Sequence, residues 1–260
     1  MKRLTGLFAL MLLMLAPIAQ AELKVANVFS DHMVLQQEMP IRVWGWADKG
    51  ESVGVTLGGE TVLVKAGEDG KWLAELPKMK ADGKAHTLSI KSGKDTVAFK
   101  DILLGEVWIC SGQSNMEWSV ARSANPKEEI ANAKHPMIRM FNVPQHIALA
   151  EPQEDAQEAV WQVCSPETVA NFSACGYYFG RALSKELDVP IGLVGTNWGG
   201  TRIEPWTPPV GFEAVPALKH ISDKLKSGEL PGEPNKAFRG KPTTLYNGMV
   251  AGLTPLSARG

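Results

Sequence analysis

The sequence predicts an α/β chain in which a small antiparallel β-sandwich over residues 22–100 precedes a domain of alternating strands and helices over residues 101–260. Three observations predict it. Short alternating apolar runs separated by glycine turns fill the first stretch, a nearly continuous apolar run from Ile102 to Cys110 opens the second, and helical spacing then alternates with further apolar runs. The 260 residues suffice for two domains, and 44% apolar against 21% charged residues is the balance of a chain that folds.

Ahead of the first domain, Lys2 and Arg3 lead into the apolar run Leu7 to Leu15 and then into Ala19-Gln20-Ala21. That order is expected of a secretory leader cleaved after Ala21, so residues 1–21 are read as a signal peptide and the mature chain as periplasmic or secreted. The apolar run falls short of the ~20 residues that span a bilayer, and no membrane span is expected.

Within 22–100, Val53, Val55 and Leu57 alternate, as do Val62 and Val64, Trp72, Ala74 and Leu76, Leu88 and Ile90, and Val97 and Phe99. Spacing by two sends one face of each strand inward and the other to water. Gly58-Gly59, Asp69-Gly70 and Asp82-Gly83 supply the turns, because glycine tolerates the positive φ of tight hairpins. The alternation stops near Asp101. The run that follows is that of a strand covered on both faces, the habit of parallel sheets, and it places a domain boundary between 100 and 101.

Further along, Ile138 to Val143 reads as a strand and Ser173 to Leu187 as a helix with Tyr178, Phe179, Ala182, Leu183 and Leu187 on its apolar side. Pro190 ends the helix, and Ile191 to Gly195 reads as another buried strand. Phe212 to Lys226 is a weaker helix that Pro216 starts or bends, and Tyr246 to Arg259 reads as a helix or turn leading toward a further strand. About two clear parallel strands, against the roughly five of a doubly wound sheet, make a C-terminally truncated second domain the expectation.

Lys and Arg total 27 against 28 Asp and Glu, with no basic cluster beyond the leader, so nucleic acid is not expected as a partner. Cys110, Cys164 and Cys175 are an odd number that allows at most one internal bridge. The short loop between Cys164 and Cys175 permits that pair without requiring it, and Cys110 reads as a small buried hydrophobe. No His or Cys cluster has metal-ligand spacing and no phosphate-loop or dinucleotide fingerprint occurs, so no metal and no cofactor are expected.

The residues that point to chemistry are Cys110-Ser111-Gly112-Gln113-Ser114-Asn115-Met116. A serine just past the carboxyl end of a parallel strand, at the start of a helix, presents its hydroxyl where clefts form. Gly112 allows the sharp turn, and the Ser114 N–H is free to help hold an oxyanion. Met116 in place of glycine separates this run from the Gly-x-Ser-x-Gly elbow. Ser111 and Ser114 are also good helix caps, and the run alone leaves both readings open.

The longer run Gly105 to Trp118 closely resembles the first sequence block of the sialate O-acetylesterase family, with its serine in Gly-Gln-Ser-Asn-Met. Phe29-Ser30-Asp31-His32-Met33-Val34-Leu35-Gln36 is similar to that family's amino-terminal β-domain, and Gly195 to Trp206 resembles its second block. The resemblance implies a flavodoxin-like, three-layer SGNH-type serine hydrolase that removes acetyl groups from sugar hydroxyls. It makes Ser114 the nucleophile, with the N–H groups of Ser114 and of Gly199 or Gly200 as oxyanion donors. An acetylated sugar or glycan is the implied partner, with Gln113, Asn115, Trp198 and Arg202 lining its site. Arg202 fits a sialic acid carboxylate but equally an ion pair with Glu204, and Trp198 and Trp206 suit either sugar stacking or packing. Acetylated xylan is an alternative substrate, and a non-catalytic glycan-binding module is an alternative function.

The family's asparagine block and its Asp-x-x-His base are expected after a segment like Leu245-Tyr246-Asn247-Gly248-Met249. The five histidines, at 32, 86, 135, 146 and 220, have Phe29, Gly83, Asn132, Val143 and Ala217 three positions before them, none acidic, and are read as surface or packing residues. The 260 residues are therefore expected to be esterase in type without a base of their own.

Overall fold

The computed structural model describes residues 22–149, 151–229 and 240–260. The leader expected over 1–21 lies outside the described residues.

The chain forms β1 (Lys24–Val25), β2 (Val34–Gln36), β3 (Ile41–Trp46), β4 (Ser52–Leu57), β5 (Glu60–Lys65), β6 (Lys71–Leu76), β7 (His86–Ser92) and the long β8 (Asp95–Gly112). One antiparallel sheet has the order β1-β3-β6, and an antiparallel ladder runs β5-β4-β7-β8. The alternating residues do what their spacing predicts: Val53, Val55, Leu57, Trp72, Ala74, Leu76, Leu88 and Ile90 are buried and join one core cluster. Gly58, Gly59, Gly70 and Gly83 all have positive φ.

β8 crosses the expected boundary without a break. Its first half pairs antiparallel with β7, and its second half pairs parallel with β2 and, from Glu106 to Gly112, with a later strand. What changes at 101 is burial, from half-exposed alternation to a continuous buried run from Ile102 to Val107. Asp101 itself has φ 56°, so the strand bends where its environment changes. Its carboxylate there accepts from the buried Arg139 at 2.6 Å and lies 2.7 Å from His32 Nδ1.

After β8 come the single turn α1 (Ser114–Glu117), α2 (Pro126–Ala131), β9 (His135–Asn142), the short β10 (Gln162–Cys164), α3 (Ala174–Leu187) and β11 (Ile191–Asn197). β11 lies between β8 and β9, parallel to both, and β10 closes that edge antiparallel to β9. Two short helices, α4 (Pro209–Glu213) and α5 (Lys219–Ser227), occupy the weak helix region, with a 3-10 turn at Pro216–Leu218 breaking them where Pro216 falls. Tyr246–Val250 and Ala251–Leu253 are π- and 3-10-helical turns. The chain then runs alongside β8, where Arg259 N–H donates to Val107 and Ile109 N–H to Gly260.

One expectation needs correction, and one open question is answered. The helix at 174–187 buries Ala174, Gly176, Tyr177 and Gly180, while Phe179 and Leu187 are 41% and 47% exposed. The apolar spacing misplaced the face because the sheet side is set by glycines: a methyl at Gly180 would sit 2.8 Å from Leu193 in β11. No disulfide links Cys164 and Cys175. All three cysteines are free, with Cys164 buried beneath α3 and Cys175 exposed with its Sγ directed at the Asn115 carbonyl, 3.3 Å away.

Candidate active site

Three parallel strands deliver their carboxyl ends to one place. Ser114 follows β8 by two residues, Trp198 and Gly199 follow β11, and Gln145 follows β9. The β8–β11 ladder pairs Asn197 with Gly112 and is continued by the Trp198 N–H donating to Gly112 O at 3.0 Å. The second-block residues are thereby carried to the serine turn, at the edge where α/β sheets bind ligands.

Gly112 turns the chain at φ 147°, and a side chain there would press on Met116 Cβ at 3.3 Å. Ser114 is then the first residue of α1. The cap is Gln113, whose side-chain oxygen accepts from the Ser114 N–H at 3.2 Å and from its Oγ at 2.8 Å. Neither Ser111 nor Ser114 acts as the helix cap. Because α1 is a single turn, its dipole adds little to the serine's environment. Ser114 and Asn115 are exposed, so the hydroxyl is open to solvent and to ligand.

Gly199 comes close: a methyl placed on it would lie 3.6 Å from the Ser114 Cα. Its N–H donates to Glu117 Oε2 at 2.8 Å, and the other oxygen of that carboxylate accepts from Gln145 Nε2 at 2.6 Å. Gly200 is exposed at φ 71°, and its N–H has no partner among the described residues. Of the two expected second-block donors, Gly199 is engaged and Gly200 is available. Glu117 and Gln145 were not among the residues singled out by sequence. For Glu117 the available signal was its place three residues after Ser114, one helical turn away.

Trp198 and Trp206 are half-buried and pack against the large core, and the Trp206 indole N–H donates to Thr201 Oγ1 at 2.9 Å. Arg202 is exposed and makes no ion pair with Glu204 or another acid among the described residues. Trp118, 45% exposed, adds an aromatic surface beside α1 with Arg122 stacked on it at 4.3 Å.

No imidazole bonds Ser114 among the described residues. His32 pairs with Asp101, at the bend within β8 and roughly 35 Å of strand rise before Gly112. His86 pairs with Asp82, and His135 lies 3.3 Å from the Tyr177 hydroxyl, with burial lowering its pKa. Among the described residues, no group of three or more His, Cys, Asp or Glu side chains is arranged to hold a metal ion, and no helix is long and apolar enough to cross a membrane.

Residues 104–230, which include both the serine turn and the Gly199 loop, match the family described as carbohydrate esterase, sialic acid-specific acetylesterase. The matched region, residues 104–230, belongs to this family. It is similar to the sialate O-acetylesterase of Homo sapiens, at 32% identity over 91% of this chain and 47% of the relative. A second relative, the sialate O-acetylesterase of Rattus norvegicus, is 34% identical over 71% of this chain and 37% of its own length. Among solved structures, a carbohydrate acetylesterase from Xanthomonas citri superposes with a TM-score of 0.78 at 29% identity, covering 92% of this chain and 50% of that one. The chain thus spans about half the length of the family members it matches.

Proposed function

We propose that this chain carries the nucleophile and part of the oxyanion hole of a serine esterase that removes O-acetyl groups from carbohydrates, with O-acetylated sialic acid as the first candidate substrate. The observation that carries the reading is the convergence of Ser114 and the Gly199-Gly200 loop at the carboxyl edge of parallel strands, in a family of acetylesterases. In this reading the body that carries the site is an SGNH-type three-layer domain preceded by a β-sandwich.

Ser114 Oγ attacks the acetyl carbonyl, forming a C–O bond while the carbonyl electrons move onto oxygen. The oxyanion is held by the Ser114 N–H and a second-block glycine N–H, and its collapse expels the sugar hydroxyl to leave an acetyl-enzyme that water hydrolyses. Gln113 must release the Ser114 N–H for this. Being exposed and held at 3.2 Å, it can do so at small cost. The reading also requires a base for Ser114 Oγ, which among the described residues hydrogen-bonds Gln113 Oε1 and no histidine or carboxylate. Arg202, exposed and without an acidic partner among the described residues, is our candidate to meet a sialic acid carboxylate, and the leader expected over residues 1–21 would export the protein to the periplasm or exterior.

The test is hydrolysis of p-nitrophenyl acetate, 9-O-acetylated sialic acid and acetylxylan by the full-length natural protein and by Ser114→Ala. The expected outcome is a loss of at least about a thousandfold in the variant on every ester. Undiminished turnover would remove Ser114 as nucleophile. No histidine hydrogen-bonds Ser114 among the described residues, and this favours one second reading, a non-catalytic glycan-binding module, whose mark is glycan binding with no turnover in the wild type.

A further inference from the structure

One carboxylate ties together the three segments that the site is built from. Glu117 sits one turn after Ser114 on α1, accepts the backbone N–H of Gly199 from the loop after β11, and accepts the Gln145 side chain from the loop after β9. Glu117 N–H in turn donates to Gln113 O at 2.9 Å, which closes the turn that carries the serine. The contact is close fitting, because a side chain at Gly199 would collide with the Glu117 carboxylate. All of these groups lie on connections leaving parallel strands, past the last main-chain contact between β8 and the β11 loop, the Trp198 N–H to Gly112 O.

We propose that Glu117 is a positioning residue. Its carboxylate, braced by Gln145, holds the Gly199-Gly200 loop against Ser114, and by occupying the Gly199 N–H it leaves the Gly200 N–H as the second-block oxyanion donor. The inference rests on the esterase reading above. A misplacement of about 1 Å between nucleophile and donor is enough to cost up to about a hundredfold in rate.

Kinetics of Glu117→Ala, Glu117→Gln, Gln145→Ala and the Glu117→Ala/Gln145→Ala pair on p-nitrophenyl acetate test this. Glu117→Ala is expected to lower kcat about ten- to a hundredfold with KM changed less than about threefold, as befits an interaction that matters in the transition state. Glu117→Gln retains most of the rate, because its amide oxygen still accepts the Gly199 N–H and the Gln145 amide can turn to present its oxygen. The double variant is no slower than Glu117→Ala, since both residues serve one network. Thermal melting identifies a variant that merely fails to fold, and Glu117→Gln then carries the test. An increase in kcat/KM for Glu117→Ala would make the contact an inhibitory one and overturn the proposal, as would an unchanged rate. A Glu117→Gln as slow as Glu117→Ala would assign proton transfer instead, also against it. Failure of the esterase reading is recognised separately, by full activity in Ser114→Ala.

Discussion

Cys175 is exposed beside the turn that carries Ser114, whereas Cys110 and Cys164 are buried, and burial pushes their thiols up to about 11 and about 12. A thiol at about 11 is only ~0.1% thiolate at pH 8, and thiolate is the reactive form. Titration of the native protein with Ellman's reagent at pH 8 should therefore consume one thiol quickly, with the other two following only after denaturant is added. Two fast thiols, or none, would contradict this arrangement. The sequence spacing admitted a Cys164–Cys175 bridge because spacing measures loop length and not direction. The structure turns Cys164 into the core under α3 and Cys175 outward to Asn115.

Among the elements, α3 shows what periodicity does and does not reveal. Its start was legible, since Ser173 is a good cap and its Oγ accepts the Gly176 N–H at 3.1 Å. Its buried face was not, because Gly176 and Gly180 carry no hydrophobic signal and yet set how near the helix approaches Cys110 and Leu193. The strands were easier to read, for alternation follows directly from which face meets the core, and β4, β6 and β7 bury the residues their spacing selects. Likewise the serine turn and the second-block loop were legible as motifs. The Glu117–Gln145 contact between them was not, because it joins residues on separate connections. Ser173→Ala should remove the cap and lower the unfolding free energy in urea by about 1 kcal/mol with the m-value unchanged. An unaltered midpoint would mean that packing alone fixes the start of α3.

At the scale of the whole molecule, β8 makes one body of what composition divides in two. Val53 and Leu88 on the antiparallel side share a core cluster with Phe141, Trp161 and Val194 on the parallel side. Where β8 bends, burial alone would push the Asp101 carboxyl up, but hydrogen bonds and charge from Arg139 and His32 outweigh it and hold the group below its usual value. Five residues on, the hydrogen bonds from Arg259 hold Glu106 low, with Gln37 and Gln36 adding to them against the opposing effect of burial. A carboxyl depressed in the folded state contributes stability that is fully present above its unfolded value, near 3.9 for Asp and 4.3 for Glu, and that is lost as pH falls through the folded value. The protein should accordingly lose stability steeply below about pH 4. Asp101→Asn isolates the charge, because asparagine also accepts the positive φ at this position. At pH 7 the variant should be less stable by on the order of 2 kcal/mol, since it leaves the Arg139 guanidinium, with a side chain only 6% exposed, without its anionic partner. Between pH 7 and pH 3 it should lose less of what remains than the wild type does. Urea midpoints at the two pH values check both statements, and equal losses in the two proteins would show that the ion pair at the bend of β8 does not set the acid limit of the fold.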